Sequence, residues 1–131
     1  MVDTSNIACG MYEVKRFRLT KADRLLKRSD FINLSKTGKT VANRFFLAKF
    51  DLSATGRTRL GITVTKKVGN AVKRNLLKRL IRESFRVNRI ELIGAWDINL
   101  IAKNAAAELT NHQSFSNLED IFDKISRSVA Y

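Results

Sequence analysis

The apolar positions of this chain keep a helical period over one long stretch and a strand period over several short ones. Between Asn70 and Arg89, the residues Val72, Leu76, Leu77, Leu80, Ile81 and Phe85, placed one every ~100°, sweep roughly 0° to 220°, with Ser84 among them. Arg74, Asn75, Lys78, Arg79, Arg82 and Arg86 fill roughly 200° to 340° of the same wheel. One face of the predicted helix is therefore core and the other is cationic. Asn70 is its predicted N-cap, because a short polar side chain there accepts from an unpaired amide of the first turn. The helix ends between Asn88 and Gly94.

Upstream, Ser29 is the predicted N-cap of a short helix in which Asp30 complements the dipole. That helix carries Phe31, Ile32 and Leu34 and stops at Gly38, the usual residue for a left-handed C-terminal position. Thr40 to Leu52, rich in aromatic and β-branched residues, reads as one strand or as two split by a hairpin turn. Small polar residues and Gly56 make residues 52–58 a turn. From Arg59 to Thr65 the chain alternates, with Leu60, Ile62 and Val64 on one side and Gly61, Thr63 and Thr65 on the other. Asp97 to Ala102 is a further short strand buried on both sides, and Trp96 before it is a packing residue. Residues 103–112 are a loop or short turn. Ser116 or Ser114 then caps a last amphipathic helix with Leu118, Ile121, Phe122 and Ile125 facing inward. The predicted class is α+β, a single-domain α-β sandwich of order α-β-β-β-α-β-α over residues 14–131. Residues 1–13 have no period and are predicted to be a disordered arm, or an extension upstream of a start at Met11.

Composition sharpens the picture through charge. The 131 residues carry 25 Lys and Arg against 12 Asp and Glu, a formal net charge of +13 with 44% hydrophobic content. A real core is affordable in that composition, and a disordered basic tail is excluded. Residues 1–90 hold 22 basic and 6 acidic side chains, a balance of +16, and residues 91–131 hold 3 and 6, a balance of −3. Like charges at i,i+4 (Arg74, Lys78, Arg82, Arg86) repel one another unless a polyanion neutralises them. Nucleic acid is the expected partner, and an anionic membrane surface is the main competitor. The competitor needs bulky apolar residues exposed beside the charges, whereas those of the helix are expected in the core. One cysteine, Cys9, permits neither an internal disulfide nor a thiolate metal site. With no apolar run of ~18 residues and no signal-peptide pattern, a cytoplasmic protein is expected.

The central stretch, K-K-V-G-N-A-V-K-R-N-L-L-K-R-L-I-R-E-S-F-R from Lys66 to Arg86, closely resembles the signature of the bacterial ribonuclease P protein subunit, K-K-x-x-x-A-x-x-R-N-R-x-K-R-x-x-R-E-x-F. Flanking segments resemble the same family in its order: S-D-F-I-N-L-S-K-T-G-K, V-A-N-R-F-F-L, R-L-G-I-T-V-T and D-I-N-L-I-A-K. The resemblance implies a fold similar to a small-subunit ribosomal protein domain with a left-handed βαβ crossover; periodicity alone would favour the right-handed form. It also implies a non-catalytic protein subunit of an endoribonuclease. In that family the partner ribonuclease P RNA supplies the active site and its Mg²⁺, and the complex removes the 5′ leader of precursor tRNA. Carried over by position, contacts to the catalytic RNA fall on Lys66, Lys67, Arg74, Arg79, Arg86 and Arg59. The leader-binding cleft falls on Phe31, Thr63, Asn75, Lys78 and Arg82. Phe31 is either a platform on which an unpaired base stacks, worth ~1–3 kcal/mol per base, or a core aromatic at the start of its helix. Three positions depart from the family pattern. Leu76 replaces the second arginine of R-N-R, Ser35 stands where a second cleft aromatic is common, and Lys49 lies near the end of the next strand. Leader contact is thus expected to rest less on stacking and more on charge.

Protein-based catalysis is not expected. Two-metal hydrolysis needs clustered carboxylates and general acid–base work needs a placed histidine. Asp23, Asp30, Asp51 and Glu83 are isolated, and His112 lies in a loop. Glu119, Asp120 and Asp123 are expected on the outer face of the last helix, and no metal site or protein-bound cofactor is expected. The alternative function is a ribosomal or general RNA-chaperone protein of the same fold; neither a membrane nor DNA is an expected partner.

Overall fold

The computed structural model describes residues 21–53, 55–89, 92 and 94–129. The arm predicted over residues 1–13, with Cys9, lies outside the described residues. The elements are α1 (Arg28–Thr37), β1 (Lys39–Ala42), β2 (Phe46–Leu52), β3 (Arg59–Thr63), α2 (Ala71–Asn88), β4 (Trp96–Ala102) and α3 (Asn111–Val129), with single 3₁₀ turns at Lys21–Asp23, Lys66–Val68 and Asn104–Glu108. The predicted order holds, and the split of Thr40–Leu52 into two strands is real. At the turn between them, the Asn43 side-chain oxygen accepts from the amides of Phe45 and Phe46, both at 2.9 Å. The Asn43 side-chain amide donates to the Asn117 carbonyl and to Asp120 Oδ2, tying the hairpin to α3.

The sheet runs β1-β2-β4-β3. The β1–β2 and β2–β4 pairs are antiparallel and β3–β4 is parallel, so α2 is the crossover between parallel neighbours. Strict alternation sends Phe46, Ala48, Phe50, Trp96, Ile98, Leu100, Ala102 and Leu60 to one face, where they join Leu77, Ile81 and Phe85 of α2 and Leu118, Ile121, Phe122 and Ile125 of α3 in one core. Each Leu, Ile and Phe among them contributes ~1.5–3 kcal/mol on burial. Trp96 packs edge-on against Phe50 at 5.7 Å, the packing role expected of it.

The opposite face of the sheet is crossed by α1. At its start Asp30 lies 3.6 Å from Arg59 of β3; at its end Thr37 Oγ1 donates to Asp51 Oδ2 of β2 at 3.2 Å. Leu34 and Leu25 are buried beneath it, outside the main core.

Local expectations at the helix ends need correction. Helix α1 starts one residue before Ser29, with Lys27 at the N-cap and no side-chain cap bond. Ser29 is instead an exposed first-turn residue. Gly38 ends α1 at φ −72° and ψ 153°, extended rather than left-handed. Its need for glycine is steric, since a Cβ there would sit 2.6 Å from the Leu34 carbonyl oxygen and 3.2 Å from that of Phe50. Helix α3 starts before both predicted serines. Thr110 and Gln113 form a reciprocal capping box, Thr110 N donating to Gln113 Oε1 at 2.9 Å and Gln113 N to Thr110 Oγ1 at 3.1 Å. Ser114 is fully buried, and its hydroxyl has no hydrogen-bond partner. Asn70 caps α2 as expected, its side chain accepting from Lys73 N at 2.9 Å. Val72 does not join the apolar face of α2: it is 79% exposed. Among the described residues, no helix is long and apolar enough to cross a membrane.

Candidate nucleic-acid interface

The buried stripe of α2 is Leu77, Leu80, Ile81, Ser84 and Phe85. The stripe divides the rest of that helix into two flanks. At ~100° per residue, Lys78 and Arg82 stand roughly 60° and 100° from Ile81 on the flank toward β3. Arg79 and Arg86 lie roughly 160° and 140° away on the outer side, where Arg79 is exposed and the Arg86 side chain is 20% exposed.

The β3 flank meets α1 across a pocket of about 210 Å³, whose lining includes Phe31, Leu26, Gly61, Arg24, Lys78 and Arg82. Phe31 is half-buried and outside the main core. Its ring lies directly over Gly61: a Cβ on that residue would fall 2.5 and 2.7 Å from Phe31 Cε1 and Cζ. Glycine fits there without displacing the aromatic ring, which occupies the space a side chain would take. Among the described residues neither Lys78 nor Arg82 has an ion-pair partner. An aromatic surface bordered by unneutralised cations is the arrangement that receives an unstacked base with its phosphates.

The other predicted cleft residues are nearby but differently placed. Asn75 is exposed on α2, three residues before Lys78 of the pocket lining. Thr63 lies on the α1 side of the sheet and donates to Asn99 Oδ1 at 3.1 Å. Lys49 is paired in register with Asn99, which also pairs with Gly61, so it stands on the same open face. Ser35 is exposed one turn after Phe31 on α1.

The residues carried over as catalytic-RNA contacts form no single cluster. Lys66 and Lys67 are exposed on the 3₁₀ turn leading into α2, and Arg79 is exposed on its outer side. Arg74 is half-buried, its Nε donating to the Gly69 carbonyl at 3.2 Å. Arg86 is paired with Glu83 one turn earlier. Arg59 is committed inside the protein: its guanidinium makes two hydrogen bonds to Asp97, at 2.8 and 2.7 Å, and its side chain is 16% exposed. The Asp97 hydrogen bond raises the Arg59 pKa further above its ordinary value, outweighing burial.

Arg24 and Leu26 line the pocket without any site assignment from sequence, and buried Asp23, the residue before Arg24, has none either. Leu25 N donates to the Leu60 carbonyl at 2.9 Å, and Arg24 bridges Leu60, so residues 24–25 lie along the free edge of β3. A two-residue pairing is too short to leave a period in the sequence.

The largest of the described cavities, about 490 Å³, lies away from this surface, lined by Glu119, Asp120, Asp123, Asn88, Ser116 and Ser126. A polyanion is repelled there. Among the described residues no three His, Cys, Asp or Glu side chains are grouped so as to hold a metal ion.

A basic α+β domain whose cationic helix borders an aromatic-floored pocket is of the nucleic-acid-binding class. The family model for Ribonuclease P matches residues 19–126, and the chain belongs to the ribonuclease P protein family. It is 47% identical over 112 residues to the ribonuclease P protein component of Desulforapulum autotrophicum, covering 86% of this chain and 96% of that protein. The component of Staphylococcus haemolyticus is 43% identical, with 79% and 90% covered. Among solved structures, the Staphylococcus aureus RNase P protein superposes with a TM-score of 0.75 at 41% identity, covering 79% of this chain and 95% of that one. The Thermotoga maritima protein gives 0.71 at 32% identity, with 78% and 96% covered.

Proposed function

We propose that this protein is the RNA-binding subunit of a ribonuclease P, binding the catalytic RNA and the 5′ leader of precursor tRNA. The observation that carries the leader reading is the pocket in which Phe31, Lys78 and Arg82 meet, with both cations unpaired among the described residues. The single-stranded leader lays a base on Phe31 and its phosphates along Lys78 and Arg82, with Asn75 and Thr63 at the margins. Lys66, Lys67, Arg74, Arg79 and Arg86 face the structured RNA from the N-terminal turn and outer side of α2. The RNA performs cleavage with Mg²⁺ that it holds itself, and the protein's part is to place the substrate and neutralise phosphates.

The test is reconstitution with a bacterial ribonuclease P RNA at low Mg²⁺. Added protein is expected to restore precursor tRNA cleavage, and the protein alone to give none. Cleavage by the protein without RNA overturns the division of labour. Equal affinity of the complex for precursor and mature tRNA favours a general RNA chaperone instead.

A further inference from the structure

The pocket beside Phe31 has a third cation whose position is built into the fold. Arg24 lines it together with Lys78 and Arg82, and Arg24 is exposed. The residue before it is the reverse. Asp23 is 2% exposed, and its carboxylate is held from two sides, by Arg57 Nε at 2.6 Å from the β2–β3 connection and by Arg89 at 3.3 Å from the end of α2. A carboxylate this buried is stable only when paired and hydrogen-bonded, so it fixes its segment firmly. One residue after Arg24, the Leu25 amide is bonded to Leu60 and its side chain is buried. Arg24 is thus clamped at the residues before and after it, at the free edge of β3. Leu26, 56% exposed, adds apolar surface at the same mouth.

We infer that Arg24 is a third phosphate-binding residue of the leader cleft, and that Asp23 is the positioning residue that presents it. This rests on the leader-binding reading given above. At about 210 Å³ the pocket is smaller than the ~300–1,000 Å³ of sites for drug-sized ligands, so it suits one base-sized ring. Three cations lining a pocket of that size are enough to meet the phosphates before and after a single unstacked nucleotide. Lys78 and Arg82 take one and Arg24 the other.

The experiment uses the full chain reconstituted with ribonuclease P RNA. It measures affinity for leader-bearing precursor relative to mature tRNA as a function of salt. Arg24→Gln is expected to lower that ratio about 3- to 10-fold, the range for one partly exposed charged contact. It is also expected to make the salt slope shallower by ~0.7, one single-strand phosphate. Arg24→Lys keeps the charge and is expected to keep the slope. Arg57→Gln removes one anchor of Asp23 from a half-exposed position and is expected to lower the ratio without removing Arg24, with thermal melting confirming the fold. A ratio and slope for Arg24→Gln equal to wild type, while Lys78→Gln lowers both, overturns the inference and leaves the leader reading intact. Absence of any leader-dependent gain in the wild-type complex overturns the leader reading itself.

Discussion

Gly61→Ala tests the aromatic platform without altering a charge or any residue of α2. The added Cβ would stand 2.5 and 2.7 Å from two ring carbons of Phe31 and 3.2 Å from Leu25 Cβ. Ordinary carbon contacts are ~3.5–4.0 Å, so the ring must retreat by roughly 1 Å, with Leu25 and the strand edge blocking one direction. Overpacking of this kind costs ~1–3 kcal/mol. Removing the glycine's freedom in the unfolded chain offsets ~0.4–1 kcal/mol of that, so a modest net loss of stability is expected. The effect on function is larger in proportion. Stacking of one base is worth ~1–3 kcal/mol, so full loss of the platform, as in Phe31→Ala, lowers leader-dependent affinity by about 5- to 150-fold. Gly61→Ala is expected to lose part of this while leaving the salt slope unchanged, because no phosphate contact is removed. The assay is precursor against mature tRNA binding by the reconstituted complex across a salt series, with a urea melt of each variant. If Gly61→Ala and Phe31→Ala both fold and both keep the full leader-dependent gain, Phe31 is a packing residue and the platform reading is wrong.

Three further outcomes follow from the geometry. Arg59→Met is expected to lower stability by ~1–3 kcal/mol, because it strands a largely buried Asp97, and to leave the salt slope of RNA binding unchanged; Arg79→Gln is expected to do the reverse. Urea melts and a salt titration against the catalytic RNA separate the two. Thr110→Ala removes the cap of α3 and is expected to cost ~1 kcal/mol, while Ser114→Ala, which deletes a buried hydroxyl with no partner, is expected to match or exceed wild type in the same urea melts. The Asp120 carboxyl is held below its ordinary pKa by the Asn43 hydrogen bond first, with Lys124 adding to the effect against partial burial. A depressed folded-state pKa stabilises above the unfolded value of ~3.9 and is lost as pH falls through the folded one. The urea-midpoint gap between wild type and Asp120→Asn is therefore expected to narrow as pH drops below about 4, and a gap independent of pH would sink that assignment.

What was legible in the sequence was local. Alternation and helical spacing located β2, β3, β4, α2 and α3 because each buries one face against a common core. The centre of the α2 stripe was not legible, since an apolar sweep of roughly 220° is wider than one packing face can bury. Val72 lies nine positions before Ile81, about half a turn around the helix, and so faces solvent beside Arg79. Helix starts are ambiguous where several cap residues compete: Ser114 and Ser116 are candidates by residue type, but it is T-x-x-Q at Thr110 and Gln113 that satisfies two amides reciprocally.

The site was legible as residue types and not as pairings. Arg59 and Arg79 look alike in sequence, yet the parallel register of β3 and β4 sets Arg59 opposite Asp97, 38 positions away. The crossover that creates this register has no local signature. The same holds for Arg57 and Arg89, drawn together on Asp23 from opposite ends of the domain's edge. Ion pairing thus ties Arg57, Arg59 and Arg89 to distant carboxylates and Arg86 to a neighbouring one, all of them already counted in the formal charge of +13. Lys66, Lys67, Lys78, Arg79 and Arg82 have no such pairing among the described residues and stay free at the start and middle of α2. A polyanion therefore meets a field concentrated over the first three turns of that helix rather than spread along it. The Phe31 pocket opens at the edge of that field, so in the leader-binding reading the cations that attract an RNA strand would also deliver its bases to the ring.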